Sequence, residues 1–353
     1  MIVLGIESSC DETAAAVVED GKILHSNVVA SSMDLHAAYG GVVPEIAARS
    51  HIESITPVIE QALEQAGRSW DDIDAIAVTY GAGLGGSLLI GVLSARTLAI
   101  TKNKPLYAIN HVEGHVYANF LTSTTLPGYS LPAAQPVFPM LALIVSGGHS
   151  QLVIFRNHFD YTLLGQTQDD AIGEAFDKVA KIIGLPYPGG PSVGKKALEG
   201  DPLAFRFPKA KLAGKYDFSF SGLKTAVLRT AQAEIGQDFT FPSKDLPERL
   251  SEPQKANIAA SFQRIAVETV VDKAMLAFEE FQPKSVVIAG GVAASPELRR
   301  QLAERLPLPI AYTDPKLCTD NGAMIATLGC FTAMHGRATA DPYRLDIAPN
   351  LSM

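Results

Sequence analysis

Two histidines whose spacing suits metal binding, His111 and His115, lie in the segment INHVEGHVYANF. On a helix, residues i and i+4 lie on one face about a turn apart, so both imidazoles could bind one ion. Asp320, in LCTDNGAMIATLG, is the candidate third ligand because it lies where another helix is predicted to begin after a strand-like run. These three side chains predict a divalent-metal site. An HxxxH pair taken alone is more often two solvated histidines.

Short turns of small residues form a second class of candidate site. The turn ESSCDET follows the first predicted strand, and GAGLGGS lies between a predicted strand and a predicted helix. Closely spaced backbone N–H groups in such turns can bind phosphate, and a helix N-terminus favours an anion. The loop GLPYPGGP, residues 184–191, could present backbone groups to a ligand in the same way. On spacing alone, these small residues are explained equally well by tight packing or by a loop that only connects two elements.

The composition is typical of a compact globular protein with about two domains. The chain has 353 residues, of which 47% are hydrophobic and 19% are charged. The apolar runs are too short to cross a bilayer, and MIVLGIESSC contains no basic residue before its acidic one, which favours a strand over a signal peptide. Three cysteines without a CxxC pair agree with a reducing compartment. We therefore expect a cytoplasmic protein with no membrane partner.

The net charge of −8 at pH 7 argues against a protein that binds nucleic acid over its whole surface. A local patch could still do so, and the segment from Phe205 to Lys224 interleaves cations with aromatic rings. A solvated loop explains that segment equally well. The cations of the segment are Arg206, Lys209, Lys211, Lys215 and Lys224.

The hydrophobic pattern predicts an α/β chain in which one arrangement occurs twice. Three strands are predicted in residues 2–32 and three more in residues 138–167, and each set is followed later by a strand, a glycine turn and a helix. His111 lies 30 residues after Gly81, and Asp320 lies 30 residues after Gly290. Equal offsets suggest equivalent positions in a duplicated fold, although two similar α/β units could also align by chance.

The predicted domain organisation follows from this duplication. Two facing halves would leave a cleft of nucleotide size, and we expect nucleotide and metal to lie there together. The second half should also carry helical insertions, at Asp170 to Ile183, Ser192 to Gly200 and Pro253 to Phe281. The predicted boundaries are 1–121 for the first half, 122–139 for a linker rich in Pro, Ser and Thr, 140–335 for the second half and 336–353 for a C-terminal tail.

Nine motifs occur in order along the chain: GIESSCDET, GGVVPEIAAR, GAGLGGSL, NHVEGH, VSGGHSQL, GEAFDKVAKIIGLPYPGGP, DFSFSGLKT, AGGVAAS and CTDNGAMIA. From about Met1 to His335 the chain thereby resembles the bacterial tRNA N6-adenosine threonylcarbamoyltransferase family, formerly called the O-sialoglycoprotein endopeptidase or glycoprotease family. Several long motifs in one order are far more specific than an HxxxH pair. The resemblance implies the duplicated RNase H-like halves of the actin, sugar-kinase and Hsp70 superfamily.

The resemblance also implies a reaction. The threonylcarbamoyl group of L-threonylcarbamoyladenylate would pass to N6 of the adenosine on the 3′ side of the anticodon, in tRNAs that read codons beginning with A, with release of AMP. One divalent metal ion per chain is implied, with iron as the first choice and zinc as the alternative, and the ligand types also suit manganese. The implied partners are tRNA, threonylcarbamoyladenylate, a metal-free paralogue of the same fold and a small P-loop ATPase.

Site residues are implied motif by motif. His111, His115 and Asp320 would be the metal ligands, and Asp11 is the candidate for orienting the substrate or removing the N6 proton. At residue 295 the family usually has Asn, whereas this chain has Ser, which could contact substrate or only cap the helix that begins at Pro296. The implied substrate contacts are Ile144, Val145, Ser146, Gly147, Gly148, Asp177, Gly190 and Ser295.

Two rival functions remain at this stage. A zinc peptidase of the HExxH type needs Glu directly after the first His, and that position is Val112. Glu113 should point about 200° away from His111 on a helix. An ATP-binding chaperone or scaffold of the same superfamily is the second rival, since fold alone does not decide function. Imidazole ligands argue against it, because such relatives hold hydrated magnesium through phosphates.

Overall fold

The computed structural model describes residues 1–37 and 39–353, and these form two compact units. One unit contains Met1–Pro136 together with Ala311–Met353, and the other contains Val137–Ile310. Contacts therefore place residues 311–335 with the N-terminal unit, whereas the repeat pattern assigns them to the second half. That residues 311–335 belong to the second half of a duplicated fold stays a prediction. We call the discontinuous unit the first unit and the continuous one the second unit.

The secondary structure alternates strands and helices, as the hydrophobic pattern predicts. The strands are β1 (Ile2–Glu7), β2 (Glu12–Glu19), β3 (Ile23–Ser31), β4 (Ala75–Gly81), β5 (Leu106–Asn110), β6 (Ser123–Thr124), β7 (Met140–Val145), β8 (Ser150–Asn157), β9 (Asp160–Gln166) and β10 (Ser285–Ala289). The α-helices are α1 (Met33–Ala37), α2 (Pro44–Ala66), α3 (Gly85–Lys102), α4 (His111–Tyr117), α5 (Ile172–Ile183), α6 (Gly189–Ala197), α7 (Ser221–Glu234), α8 (Glu252–Phe281), α9 (Pro296–Arg305) and α10 (Gly322–Met334). Short 3-10 helices cover Trp70–Asp72, Ala118–Phe120, Ser243–Asp245, Gly291–Ala294 and Pro315–Leu317.

Each unit contains one mixed sheet, and the two sheets share a topology. In the first unit the order is β5-β4-β1-β2-β3-β6, and in the second it is β10-β7-β8-β9. In each, three strands form an antiparallel meander, and a later strand (β4 or β10) pairs in parallel with the first of the three. The predicted strand triplets are confirmed, and the common order β4-β1-β2-β3 and β10-β7-β8-β9 supports the duplication.

The core of the first unit lies on both faces of its sheet. Strands β1 and β2 are buried almost along their whole length, which explains why their sequences are continuously apolar rather than alternating. Helix α2 begins with Pro44 in its first turn and ends at Gly67, whose φ of 61° is the left-handed conformation that glycine favours. The helix predicted from Val43 to Gly67 is confirmed.

Helix α10 explains why the C-terminal segment belongs to the first unit. A Cβ on Gly5 of β1 would overlap the backbone nitrogen of Ala326, and a Cβ on Gly322 would overlap the backbone of Ala15 in β2. The helix backbone therefore lies directly on the sheet backbone, with glycines at the contact. The predicted helix after Asp320 is confirmed. The strand-like run before it is not a strand, because the described residues between β10 and α10 contain α9, short 3-10 helices and irregular backbone.

One further prediction about elements needs correction, and one helix was not predicted. Helix α6 begins at Gly189, inside the loop predicted for residues 184–191, because Pro188 precedes a turn that is already helical. Helix α7 was not predicted, since its apolar positions, such as Leu223 and Val227, are few. The predicted linker packs on the first unit: the backbone nitrogen of Ser130 donates to Asp314 at 2.7 Å. Among the helices in residues 1–37 and 39–353, none has the length and apolarity to span a bilayer.

Candidate metal centre

The two histidines lie at the start of a short helix that follows an edge strand. Strand β5 ends at Asn110, and α4 begins at the next residue, His111. The Asn110 side-chain oxygen accepts hydrogen bonds from the backbone nitrogens of Val112, at 2.9 Å, and Glu113, at 3.3 Å. This is an N-terminal helix cap. Because the cap fixes the first turn of α4, it also fixes where the imidazole of His111 points.

The three predicted ligands meet. Asp320 Oδ1 lies 3.1 Å from His115 Nε2 and 3.5 Å from His111 Nε2, and one ligand atom from each residue lies within 4.8 Å of the others. Two atoms bound to one ion at about 2.1 Å are about 3.0–3.4 Å apart in octahedral or tetrahedral geometry. The two separations from Asp320 therefore suit a shared ion.

The hydrogen bonding of His115 also fits a metal ligand. The residue is 2% exposed, and within the described residues neither ring nitrogen has a hydrogen-bond partner. Its Nε2 approaches Asp320 without the geometry of a hydrogen bond. A buried polar atom without a partner is costly, and a metal ion would satisfy it. The cluster of His111, His115 and Asp320 could therefore hold a metal ion.

A second set of groups orients His111. Its Nδ1 lies 3.1 Å from Glu7 Oε2 and 3.1 Å from Ser9 Oγ. Glu7 is completely buried and also accepts hydrogen bonds from the Ser9 backbone nitrogen and the Thr79 hydroxyl. A carboxylate on one imidazole nitrogen fixes the ring and directs the other nitrogen to the ion. Sequence reasoning missed Glu7, although its position at the end of β1 could have indicated a contact with the nearby turn.

The electrostatics of the cluster favour a cation. Burial lowers the pKa of His111, but the carboxylates of Asp320 and Glu7 outweigh burial and raise it to about 9. Burial also disfavours ionised Glu7, yet the contact with His111 holds the pKa of Glu7 below its usual value. A proton or a metal ion can supply the positive charge. Metal binding must displace the proton, so it is coupled to pH.

Most of the predicted substrate residues lie near the carboxyl ends of β7 and β10 in the second unit. Ile144 and Val145 are buried in β7. Ser146 begins the following turn, where its backbone nitrogen donates to His149 at 2.8 Å and its hydroxyl accepts from the His149 backbone nitrogen at 3.0 Å. A Cβ on Gly147 or Gly148 would meet open space. The turn is thus held at its base while its two glycines remain accessible.

Asp177 and Gly190 lie around the start of α6. The Asp177 carboxylate accepts a hydrogen bond from the Gly189 backbone nitrogen at 2.6 Å. Burial raises the pKa of Asp177, although this hydrogen bond opposes the shift. A Cβ on Gly190 would meet open space. One carboxylate oxygen of Asp177 therefore holds the N-terminus of α6.

Ser295 has the helix-capping role, one of the two expected for it. Its hydroxyl accepts from the Leu298 backbone nitrogen at 3.4 Å, at the N-terminus of α9. It follows the turn that Gly290 opens. A Cβ on Gly290 would overlap the Val145 carbonyl oxygen, so this glycine lets β10 and β7 end side by side. The substrate contact of Ser295 stays a prediction.

Comparison with known proteins identifies the family. The family model described as TsaD, tRNA N6-adenosine threonylcarbamoyltransferase, matches residues 23–327. The relative of that name from Thermomicrobium roseum is 51% identical over 100% of this chain and 97% of its own length. The relative from Symbiobacterium thermophilum is 49% identical, covering 94% of this chain and 91% of that one.

The chain belongs to the tRNA N6-adenosine threonylcarbamoyltransferase family. The predicted family and enzyme class are therefore confirmed. Among solved structures, full-length HypF in its phosphate- and nucleotide-bound form matches 95% of this chain and 46% of its own, with 12% identity and a TM-score of 0.55. That likeness concerns the fold alone. The predicted α/β fold is confirmed, and it contains two mixed sheets.

In this threonylcarbamoyltransferase the loop of Asp11 is held firmly. The carbonyl oxygen of Cys10 accepts from His51 Nε2 at 3.0 Å and from the Ser87 hydroxyl at 3.1 Å. The Asp11 carbonyl oxygen accepts from the backbone and hydroxyl of Ser32. Helices α2 and α3 thus contribute to positioning the loop that carries the predicted catalytic carboxylate.

Glu12 is a second site residue that sequence reasoning missed. Burial, together with the neighbouring Asp320 and Asp11, raises the pKa of Glu12 to about 10. Glu12 therefore favours the protonated form more than an ordinary glutamate does, and it interacts with Asp11. The adjacent acidic residues in CDET were a possible signal, but the approach of Asp320 could not be foreseen from them.

Glu113, the residue on which the peptidase alternative depended, is outside the metal cluster. It is 8% exposed, and burial raises its pKa to about 7 although Arg337 opposes the shift. The group that could hold an ion consists of His111, His115 and Asp320 without it. This agrees with the predicted direction of Glu113 on α4, away from the imidazole of His111.

Proposed function

We propose that this chain transfers the threonylcarbamoyl group of L-threonylcarbamoyladenylate to N6 of the adenosine on the 3′ side of the anticodon, in tRNAs that read codons beginning with A. In this reaction the N6 nitrogen attacks the carbamoyl carbonyl carbon and loses a proton. The bond from that carbon to the phosphate oxygen breaks, and AMP leaves with the electron pair. The observation that carries the proposal is the meeting of His111, His115 and Asp320 in a member of this family.

The metal site supplies one part of the chemistry. A bound divalent ion would act as a Lewis acid for a carbonyl or phosphate oxygen of the adenylate. His111, His115 and Asp320 would hold that ion, and Glu7 would keep Nε2 of His111 directed towards it. We propose iron as the native ion and zinc as the alternative. Metal analysis of protein purified without oxygen should find one iron per chain. One zinc per chain would instead indicate zinc as the native ion.

The proton of N6 needs an acceptor near the reacting carbon, and we assign this role to Asp11. Burial raises the pKa of Glu12, and a protonated Glu12 would donate a hydrogen bond to Asp11 and keep the Asp11 side chain in one orientation. A carboxylate so held can accept the proton or position the amine for attack. His51 and Ser87 support this role by fixing the backbone at Cys10.

The adenylate is proposed to bind the second unit. The open turn at Gly147 and Gly148 can bring backbone N–H groups to the nucleotide, next to Ile144, Val145 and Ser146. Gly190 offers the same access, and the remaining oxygen of Asp177 can accept from a ribose hydroxyl. Ser295 keeps its helix cap and can accept one hydrogen bond more. The expected sharing of one cleft by nucleotide and metal stays a prediction.

Binding of tRNA by an acidic chain calls for a composite surface. We propose that a metal-free paralogue and a small P-loop ATPase contribute to it in the cytoplasm, because the net charge of −8 works against an extended contact with phosphates by this chain alone. The basic segment from 205 to 224 would supply the local contact of this chain.

The test is nucleoside mass spectrometry. Unmodified tRNA is incubated with threonylcarbamoyladenylate, this protein and the two proposed partners, and then digested. We expect threonylcarbamoyladenosine in the digest, and we expect none with the Asp11→Ala variant. A matched control is Asp34→Ala, which changes an exposed carboxylate on α1. Product formation that is unaffected by Asp11→Ala would exclude the proposed role of Asp11, and no product with any combination would exclude the proposed reaction.

A further inference from the structure

The C-terminal residues 340–352 lie across the end of the sheet that carries the metal ligands. Ala340 pairs with Leu106 at the start of β5, donating its backbone nitrogen to the Leu106 carbonyl oxygen at 2.8 Å. Further along, the backbone nitrogen of Ala348 donates to the Tyr80 carbonyl oxygen at 2.7 Å. We call residues 340–352 the strap. It runs from the amino end of β5 to the carboxyl ends of β4 and β5, where α4 begins.

Arg96 on α3 holds the middle of the strap. Its guanidinium donates to three backbone carbonyl oxygens, at 2.6 Å to Pro342, 2.9 Å to Tyr343 and 3.2 Å to Leu345. A planar guanidinium with five N–H donors can satisfy three carbonyls at once, and lysine cannot reproduce that geometry. Arg96 therefore fixes a segment that has no helix or strand of its own.

Asn110 connects the strap to the helix of the metal ligands. Its side-chain oxygen caps α4, and its side-chain nitrogen donates to the Ser352 carbonyl oxygen at 3.1 Å. One amide thus binds the helix on one side and the strap on the other. Because His111 is the next residue, a displacement of this amide would be transmitted directly to a ligand.

A second connection passes through the glycine turn after β4. The backbone nitrogen of Gly83 donates to the Pro349 carbonyl oxygen at 3.1 Å, and that of Leu84 donates to the Ser9 carbonyl oxygen at 2.7 Å. The hydroxyl of Ser9 contacts His111 Nδ1. A Cβ on Gly81 would overlap the Ala348 carbonyl oxygen, so this glycine turn, predicted as a candidate phosphate site, instead accommodates the strap.

We infer that the strap, Arg96 and Asn110 form a positioning device for His111, which holds this ligand ready for the metal ion. The inference rests on the metal centre of the proposed function. Breaking the hydrogen bonds of the strap should weaken metal binding by about 10- to 100-fold, the range that outer hydrogen-bond partners of metal ligands contribute. The fold should persist, because the sheet and α10 do not depend on these hydrogen bonds.

The experiment titrates apo protein with Co²⁺, whose visible absorption reports both affinity and ligand geometry. Asn110→Ser keeps a capping oxygen but cannot reach Ser352, and Arg96→Lys keeps the charge but cannot bind three carbonyls. A chain ending at Leu345 keeps the hydrogen bonds of Arg96 and removes those of Ala348, Pro349 and Ser352. The control Arg49→Lys changes an exposed arginine that pairs with Glu45 on α2.

We expect weaker Co²⁺ binding and an altered absorption spectrum in Asn110→Ser, Arg96→Lys and the shortened chain. Circular dichroism should show that these three proteins are folded. The control Arg49→Lys should bind Co²⁺ as the original chain does. Unchanged affinity and spectrum in all three would overturn the inference and leave the metal centre standing. Failure of the original chain to bind one Co²⁺, or binding that survives His111→Ala, would overturn the metal centre and the inference with it. If the shortened chain fails to fold, the two point variants decide.

Discussion

At the scale of residues, the proposed metal centre assigns different roles to Asp320 and Glu113. Asp320→Ala removes one of the three proposed ligands, and we expect it to abolish metal binding and threonylcarbamoyl transfer together. Glu113→Gln is the matched control on α4, and it should retain the ion and lose at most a modest factor in rate. Metal analysis and nucleoside mass spectrometry on the same preparations check both. A peptidase would instead be favoured by two results together. The pure protein cleaves a peptide and Glu113→Gln abolishes that cleavage, while no transfer to tRNA is detected.

Glu7 provides a test of how the imidazole of His111 is oriented. Its carboxylate accepts from the Ser9 backbone and the Thr79 hydroxyl and meets a nitrogen of His111, so Glu7→Gln would turn an NH₂ group towards at least one donor. We expect metal affinity to fall by about 10- to 100-fold. Calorimetric titration with Zn²⁺ measures this, with Glu45→Gln on the exposed face of α2 as the control. Equal affinities would show that Glu7 is only a structural group.

The meeting of His111, His115 and Asp320 could be predicted from sequence, whereas the residues around them could not. His111 and His115 share a helix, so their spacing carries the information, and an equal offset in the repeat indicates Asp320. Glu7 and Glu12 lie on strands whose neighbours are set by the tertiary fold. Spacing along the chain says nothing about which carboxylate faces Nδ1 of a distant histidine.

At the scale of elements, the contact between α10 and the sheet depends on glycine. Gly5→Ala would place a Cβ on the backbone of Ala326, and a backbone cannot move aside as a flexible side chain can. We expect a decrease of about 1–3 kcal/mol in the free energy of unfolding and weaker metal binding, since α10 follows Asp320. The control Gly222→Ala adds a methyl group in open space on α7. Chemical denaturation of both variants measures the difference, and equal decreases would contradict the close contact.

His51 gives a pH-dependent test of the contact between α2 and the first loop. Burial lowers its pKa from 6.5, so the folded state disfavours its protonation. Its contribution to stability is complete above pH 6.5 and is lost progressively as the pH falls through 6.5 towards the folded pKa. We expect His51→Gln to make the decline in unfolding free energy between pH 7 and pH 5 shallower. Parallel declines in the two proteins would show that His51 does not titrate as described.

Elements with strong periodicity were predictable, and those with weak periodicity were not. The apolar positions of α2 and α8 recur over many turns, so the predicted bounds of each helix lie within about two residues of those observed. Helix α7 has few buried positions, and its N-terminus is held by Asp169, whose carboxylate accepts from the backbone of Phe220 at 2.8 Å. A contact between residues more than fifty positions apart cannot be predicted from the local sequence pattern.

At the scale of the whole molecule, the predicted tRNA contact must compete with the acidic face of α8. Lys209 pairs with Asp272 at 2.7 Å and Glu268 at 3.0 Å, and Lys215 pairs with Glu280. We still expect alanine at Lys209, Lys211 and Lys215 to weaken tRNA binding, and the salt slope should decrease by about 1 for each phosphate that the variant no longer neutralises. Binding measured over a range of salt concentrations tests this.

The acidic partners provide the complementary variant for that experiment. Glu268→Gln, Asp272→Asn and Glu280→Gln together should strengthen tRNA binding, because they release the lysines for phosphate. If neither the lysine variant nor the acidic variant changes affinity or salt slope, the segment is a solvated surface stabilised by its own ion pairs.

The division of the first unit into two stretches of chain also determines when the metal centre can form during synthesis. His111 and Asp320 are 209 positions apart, and at 5–20 residues per second the ribosome needs roughly 10 to 40 seconds to pass from one to the other. Throughout that interval β1 and β2 lack the helix that packs on Gly5, and an ion reaching the nascent chain finds at most two of its three ligands. Loading with metal should therefore follow the synthesis of Asp320, and a chain that terminates before residue 320 should take up no ion.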